Sequence, residues 1–253
     1  MTEASAPSVK PGLTQIERVV NTFIAPTSTF EDIKRNASWW LPFLIAAVIS
    51  LTSALIFLKK VGIDTFTNGV IAHSPRLADA IASNPAAEAH ALSVIGTFIK
   101  VAMFGNPLIS ILVAFIVAGL FLFTSYFIFG GKATFGQMVA VWYYGTLPMQ
   151  LYYLLGLFVT ATGHGNVNFF ARDPIGGTSI GYYLHAGQVP APLLALLTAI
   201  DIFSVWNAVV LTIGVSTVAG IKRSAAAIVV FGWWGLNLLR IAGAALHQNT
   251  LVR

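Results

Sequence analysis

The chain has no cysteine. That excludes disulfides, thiolate metal sites and cysteine nucleophiles, and leaves the redox compartment open. Charge is scarce: 9% of residues are Asp, Glu, Lys or Arg, against roughly 25% in an ordinary soluble domain. The 14 basic residues outnumber the 9 acids, but they are spread along the chain. A dense Lys/Arg block of the kind that binds nucleic acid is missing. So are a Gly-x-Ser-x-Gly elbow, a His-Glu-x-x-His pair and a spaced pair of carboxylates, which argues against an enzyme. The run Gly130-Gly131-Lys132-Ala133-Thr134 lacks the four-residue spacer of a phosphate loop and follows an apolar stretch, not a strand. His164 and His185 have no carboxylate between them at ligand spacing, and His73, His90 and His247 are single residues, so neither a metal nor a cofactor is expected.

Apolar length is what the chain has in abundance. It is 57% hydrophobic over 253 residues, with a mean hydropathy of +0.79. This composition belongs to a polytopic membrane protein, and the length leaves no room for a second soluble domain of ordinary size. Five apolar runs, at 40–58, 108–129, 135–159, 191–219 and 224–246, are each long enough to cross ~30 Å of hydrocarbon at about 1.5 Å per residue. The expected fold is therefore an all-α bundle of five transmembrane helices. Pro148 bends the third, beside the Trp142, Tyr143, Tyr144 cluster.

Before the first span, Leu13, Ile16, Val20 and Phe23 recur at helical spacing, with Glu17 and Arg18 on another face. Two readings fit: an amphipathic helix lying at the membrane surface, or a helix packed over the end of the bundle. Pro26 ends it. Ser28 and Glu31 have the form of a capping box for a second helix with Phe30 and Ile33 inward. Lys34 and Arg35, followed by Trp39 and Trp40, read as an interfacial anchor. Between spans one and two the sequence predicts a partly helical outside loop, with a helix starting at Asn84-Pro85 and broken at Gly105-Asn106-Pro107. The loop at 160–190 is rich in Gly, Asn and Pro, and its Phe169, Phe170, Tyr182 and Tyr183 suit the head-group region.

Five spans place the termini on opposite sides. The tight turns carry Lys132, Lys222 and Arg223 without an acid, on the side of Lys10, Arg18, Lys34 and Arg35, a tally of seven basic residues against six. Short-loop basic residues stay inside, so the N-terminus is expected in the cytoplasm and the C-terminus outside. The division is a cytoplasmic segment at 1–38, a membrane domain at 39–246 and an extracytoplasmic tail at 247–253. Residues 1–12 are polar and lack the apolar core of a cleavable signal.

Two ionisable residues fall inside spans, Asp201 in the fourth and Arg240 in the fifth. Measured from the outer ends of these spans they lie ~15 Å and ~9 Å deep, so Arg240, being long, reaches toward Asp201. Three readings stand: a structural ion pair, Asp201 capped by Asn237 or Ser204, or half of a proton or ion path.

The run Phe23-Ile24-Ala25-Pro26-Thr27-Ser28-Thr29-Phe30, then Trp39-Trp40-Leu41-Pro42, resembles the opening of prokaryotic members of the Yip family. The likeness continues through Gly131-Lys132-Ala133-Thr134-Phe135-Gly136-Gln137, Tyr144-Gly145-Thr146-Leu147-Pro148 and Asp201-Ile202-Phe203-Ser204-Val205-Trp206. The resemblance implies five spans with a cytoplasmic N-terminus. Eukaryotic members bind Rab-type small GTPases and carry a Gly-Tyr-x-x-x-Pro element. Tyr144 and Pro148 match its Tyr-x-x-x-Pro part, while Tyr143 stands at the Gly position and the Asp-Leu-Tyr-Gly-Pro element before span one is absent, as suits a prokaryotic-type member.

These readings converge on a non-catalytic multi-pass protein of a prokaryotic cytoplasmic membrane. It would be a scaffold or adaptor for membrane organisation or trafficking, whose partners are the lipid bilayer and other membrane proteins or a second copy. Its contact surfaces would be the Leu13–Arg35 segment, with Leu13, Ile16, Val20, Phe23 and Phe30, next to Trp39 and Trp40, and spans rich in small residues, such as Ala114 and Ala118 or Ala242 to Ala245, which allow close helix approach. The alternative is a small transporter or ion-coupled permease using Asp201.

Overall fold

The computed structural model describes residues 12–72, 74–84, 88–162, 175, 177–184 and 189–251. The described residues form helices, with an isolated bridge between Ser179 and Asp201. Two ten-residue helices, α1 (Gln15–Ile24) and α2 (Pro26–Arg35), make an N-terminal hairpin. Thr14 and Glu17 cap α1 reciprocally. Pro26 opens α2 and suits a first helical turn, because its missing N–H is an unbonded position there. The Ser28 box is therefore not used; the Ser28 hydroxyl donates to the Ala25 carbonyl.

α3 (Trp40–Lys60) follows, then two short helices, α4 (Ile63–Ala72) and α5 (Pro75–Ser83). α6 (Glu88–Phe129) has 42 residues, about 63 Å of helix. Here the structure corrects the sequence reading, since Gly105-Asn106-Pro107 does not break the chain. Proline removes one backbone hydrogen bond, but the helix continues, with the Ser110 hydroxyl donating to the Pro107 carbonyl and the Asn106 amide donating to Ser50 on α3 at 2.8 Å. The helix start expected at Asn84-Pro85 lies partly outside the described residues.

The third expected span is two helices, α7 (Phe135–Gly145) and α8 (Leu147–Ala161), hinged at Thr146 with Pro148 in the first turn of α8. The fourth is also divided, into α9 (Ala191–Ala199) and α10 (Ile202–Ala219). α11 (Arg223–Leu251) closes the chain. Among the described residues, four helices are long and apolar enough to cross a membrane: Trp40–Lys60, Glu88–Phe129, Ile202–Ala219 and Arg223–Leu246. Of the five expected spans, the one at 135–159 is not covered by a single helix of that length, because it divides into α7 and α8.

The core gathers at one end of the bundle, where Phe30 and Ile33 of α2 meet α6, α7, α10 and the start of α11. Two glycines allow the close approach. A Cβ at Gly145 would stand 2.3 Å from the Leu211 side chain, and one at Gly214 would stand 2.8 Å from the Phe30 ring. The α2 side chains are in this way part of the membrane bundle's own packing.

Candidate functional site

α1 turns Arg18 and Thr22 inward together with Val19 and Phe23, which pack against the core. Arg18 is 2% exposed and Thr22 is fully buried, whereas Ile16 is 72%, Val20 49% and Ile24 74% exposed. An amphipathic helix in water would do the opposite, so a specific polar anchor must hold the arrangement. That anchor is Asp32 of α2, itself buried. The Arg18 guanidinium donates from Nε to Asp32 at 2.7 Å and pairs through Nη2 at 2.6 Å. Arg18 also donates to the Asn36 carbonyl at 3.0 Å, and Arg35 takes the second Asp32 oxygen. Thr22 and Thr29 both donate to the Arg18 carbonyl. Burial alone would push the Asp32 carboxyl up, but the hydrogen bonds from Arg35 and Arg18 and the Arg18 charge win, and it titrates below its ordinary value.

A side-chain bond ties this hairpin to the Tyr-x-x-x-Pro element. Tyr144, fully buried on α7, donates its hydroxyl to the Gln15 side chain of α1 at 2.7 Å. Pro148, four residues on and also buried, sits just past the Thr146 hinge. The two motif residues thus lie on either side of one helix break.

The other sequence-predicted residues divide by environment. Phe30 is in the core, as expected, and Leu13 is half-buried. Phe23 packs edge-on against Trp206 of α10, 5.5 Å between ring centroids. Trp39 stacks on Tyr143 at 5.2 Å, while Trp40 is exposed. The Trp pair is therefore one packing residue and one outward residue. Ala114 and Ala118 are fully buried within the chain and are not free for a partner.

Asp201 and Arg240 have separate partners. Asp201 caps α10, its carboxylate accepting from the Phe203 and Ser204 amides at 2.8 and 3.0 Å. Ser204 completes the box by accepting from the Asp201 amide. Arg240 donates to Asn237 on its own helix at 3.1 and 3.2 Å. Of the partners the sequence offered Asp201, Ser204 is the one used. An aspartate accepting from the following backbone amides favours a helix start over a helix interior, which is why the fourth span divides there. His164, His185, Phe169 and Phe170 lie outside the described residues.

Sequence reasoning missed Gln15, Thr22, Thr29 and, above all, the Arg18–Asp32 pair. A signal existed: Asp32 interrupts the Phe30–Ile33 stripe, and a carboxylate on an inward helix face needs a buried cation.

Residues 20–244 match the Yip1 domain family. A similar protein is membrane protein YknW of Bacillus subtilis (strain 168), 28% identical over 214 residues covering 82% of each chain. No solved structure matches. With the match extending from α1 to the end of α11's apolar part, the chain belongs to the Yip1 domain family and is an integral membrane protein.

Proposed function

We propose that this protein is a non-catalytic scaffold or adaptor that presents its α1 surface to another membrane protein. The observation that carries this reading is the outer face of α1: Arg18 is paired inward to Asp32, and Ile16, Val20 and Ile24 are left outward. An apolar stripe on a short helix outside the apolar spans is a surface for a partner or for the bilayer interface. Residues 1–38 would be cytoplasmic, 39–246 the membrane domain, and 247–253 an extracytoplasmic tail. α7 and α8, 135–161 in total, would together make the third of five crossings as a broken helix. Small-GTPase binding follows only from the family's eukaryotic members.

A photoreactive residue in place of Val20 tests it. Irradiation in intact membranes should give one defined protein adduct, lost when Ile16 and Ile24 are replaced by Ser. Adducts with lipid alone would defeat the adaptor reading.

The transport alternative has one favouring observation, the α9–α10 break at Asp201, since broken helices build many substrate sites. The Asp201 carboxylate is committed to its cap, which favours the scaffold. Proton or cation flux in liposomes that vanishes in Asp201→Asn would reverse that order.

A further inference from the structure

α10 measures how far the N-terminal hairpin reaches into the bundle. It runs from Ile202 to Ala219 and is among the helices long and apolar enough to cross a membrane. The turn after it carries Lys222 and Arg223, and the neighbouring turn carries Lys132, whose amide donates to the Ala219 carbonyl at 2.8 Å. Basic residues at the end of a span mark the head-group level. The hairpin lies along α10 in a steady register. Lys34, near the end of α2, shares a pocket with Val218, Ala219 and Gly220. Phe30, a turn earlier, rests on Gly214. Phe23, near the end of α1, packs on Trp206. From Ala219 back to Trp206 is about 13 residues, or ~20 Å of helix, against ~30 Å for the whole hydrocarbon layer. The start of α3 gives the same sense. Trp39 stacks on Tyr143, which stands between Val141 at Gly214 and Gly145 at Leu211, so Trp206 is still about five residues, ~8 Å, further in.

The chemistry of the hairpin changes along the same direction. Its ionisable residues, Glu17, Arg18, Glu31, Asp32, Lys34 and Arg35, stand toward the open end, and 19–30 carries none. Ile16, Val20 and Ile24 face outward. The turn at the closed end satisfies its backbone locally. The Ala25 amide donates to the Asn21 carbonyl at 2.8 Å, Pro26 has no amide, and the Ser28 amide and hydroxyl both donate to the Ala25 carbonyl. Hydrocarbon demands that economy, because no water is there to take an unpaired group. In water it gains nothing, and three aliphatic side chains facing outward along one helix are then a liability.

We propose that the α1–α2 hairpin is re-entrant. It enters the leaflet on the side of Lys132, Lys222 and Arg223, turns near the bilayer midplane at Ala25 and returns, with Ile16, Val20 and Ile24 against acyl chains and Lys34 and Arg35 among head groups. Both of its ends stay on one side, so the number of crossings is unchanged. The inference rests on the α10 span and not on the adaptor reading. It narrows that reading, because a protein that reaches Val20 does so from within the bilayer.

Depth is directly measurable. The chain has no cysteine, so Val20→Cys, Ile24→Cys and Lys34→Cys each give a single labelling site. Each full-length variant is labelled with a small fluorophore and reconstituted alone into phosphatidylcholine–phosphatidylglycerol liposomes, with nitroxide quenchers on the head group or midway down the acyl chain. The expected result is stronger quenching by the acyl-chain nitroxide at positions 20 and 24 and by the head-group nitroxide at position 34. A charged maleimide added to unlabelled proteoliposomes should modify the outward-facing fraction of Lys34→Cys and leave Ile24→Cys unmodified until detergent is added. Should Ile24→Cys not fold, Val20→Cys carries the same reading. Stronger head-group quenching at position 24, or modification of Ile24→Cys as fast as Lys34→Cys, would overturn the proposal. Lipid-only adducts at Val20 in intact membranes would remove the adaptor reading and leave this one standing.

Discussion

Asp32 is the residue on which the hairpin's placement depends. Its two oxygens serve Arg18 and Arg35, and Arg18 in turn holds the carbonyls that close the hairpin. Removing one member of a buried ion pair strands the other charge, at about 3–5 kcal/mol. Asp32→Asn should therefore loosen α1 at neutral pH, seen as faster proteolysis near residue 25, whereas Glu31→Gln, on an exposed neighbour, should not. The pH dependence has a definite sign. The folded value of Asp32 lies below its ordinary value, about 3.9. Its contribution is thus fully present above pH ~4 and is lost as the pH falls through the lower folded value. A fluorophore on α1 should report detachment only below pH ~4 in the wild type. Tyr144→Phe removes the bond to Gln15 and should cost about 0.5–1.5 kcal/mol, measured as a lowered unfolding temperature.

At the scale of elements, the helix breaks carry the information. Asp201 starts α10 because its carboxylate takes two amides that the helix itself leaves unbonded. Asp201→Ala should cost about 0.5–2 kcal/mol, and Asp201→Asn much less, because asparagine caps comparably. Arg240→Ala, which loses only the contact to the exposed Asn237, should change stability by less than about 0.5 kcal/mol. Equal losses for Asp201→Ala and Arg240→Ala, with no further loss in the double variant, would restore the ion pair that the sequence suggested. α2 depends on a different element, since its Phe30 ring rests on Gly214 of α10. Gly214→Val should push that ring out and detach the hairpin while leaving α3 and α6, which pack on each other elsewhere, in place. Hydrogen exchange of α1 and α2 against α6 separates the two effects.

For the whole molecule, orientation is the open quantity with a direct measurement. The basic tally favoured the N-terminal side, but Arg18 is spent on Asp32 and Arg35 shares the same carboxylate. The exposed Lys34, Lys132, Lys222 and Arg223 remain to meet head groups, and they still favour a cytoplasmic N-terminal side. A reporter active only in the cytoplasm should be active when fused ahead of Leu13 and silent when fused after Leu251. Activity at both ends would mean an even number of crossings, with α7 and α8 folded back on one side.

Membrane residence, the helical class and the family membership were all legible in the chain, because apolar run length and the absence of charge act locally and need no partner. The same locality made Pro26 and Phe30 readable. What the sequence could not decide was anything that depends on a neighbour. Pro107 was expected to end a helix, yet α6 runs through it with Asn106 bonded to α3. Of the readings left open for Asp201, the cap with Ser204 is the one formed, and Arg240 bonds to Asn237 on its own helix. Arg18 lies inside the hairpin, because only the folded chain brings Asp32, fourteen residues on, against it. Hydropathy decides which segments leave water; which polar groups follow them inward is decided by the partners that tertiary packing supplies.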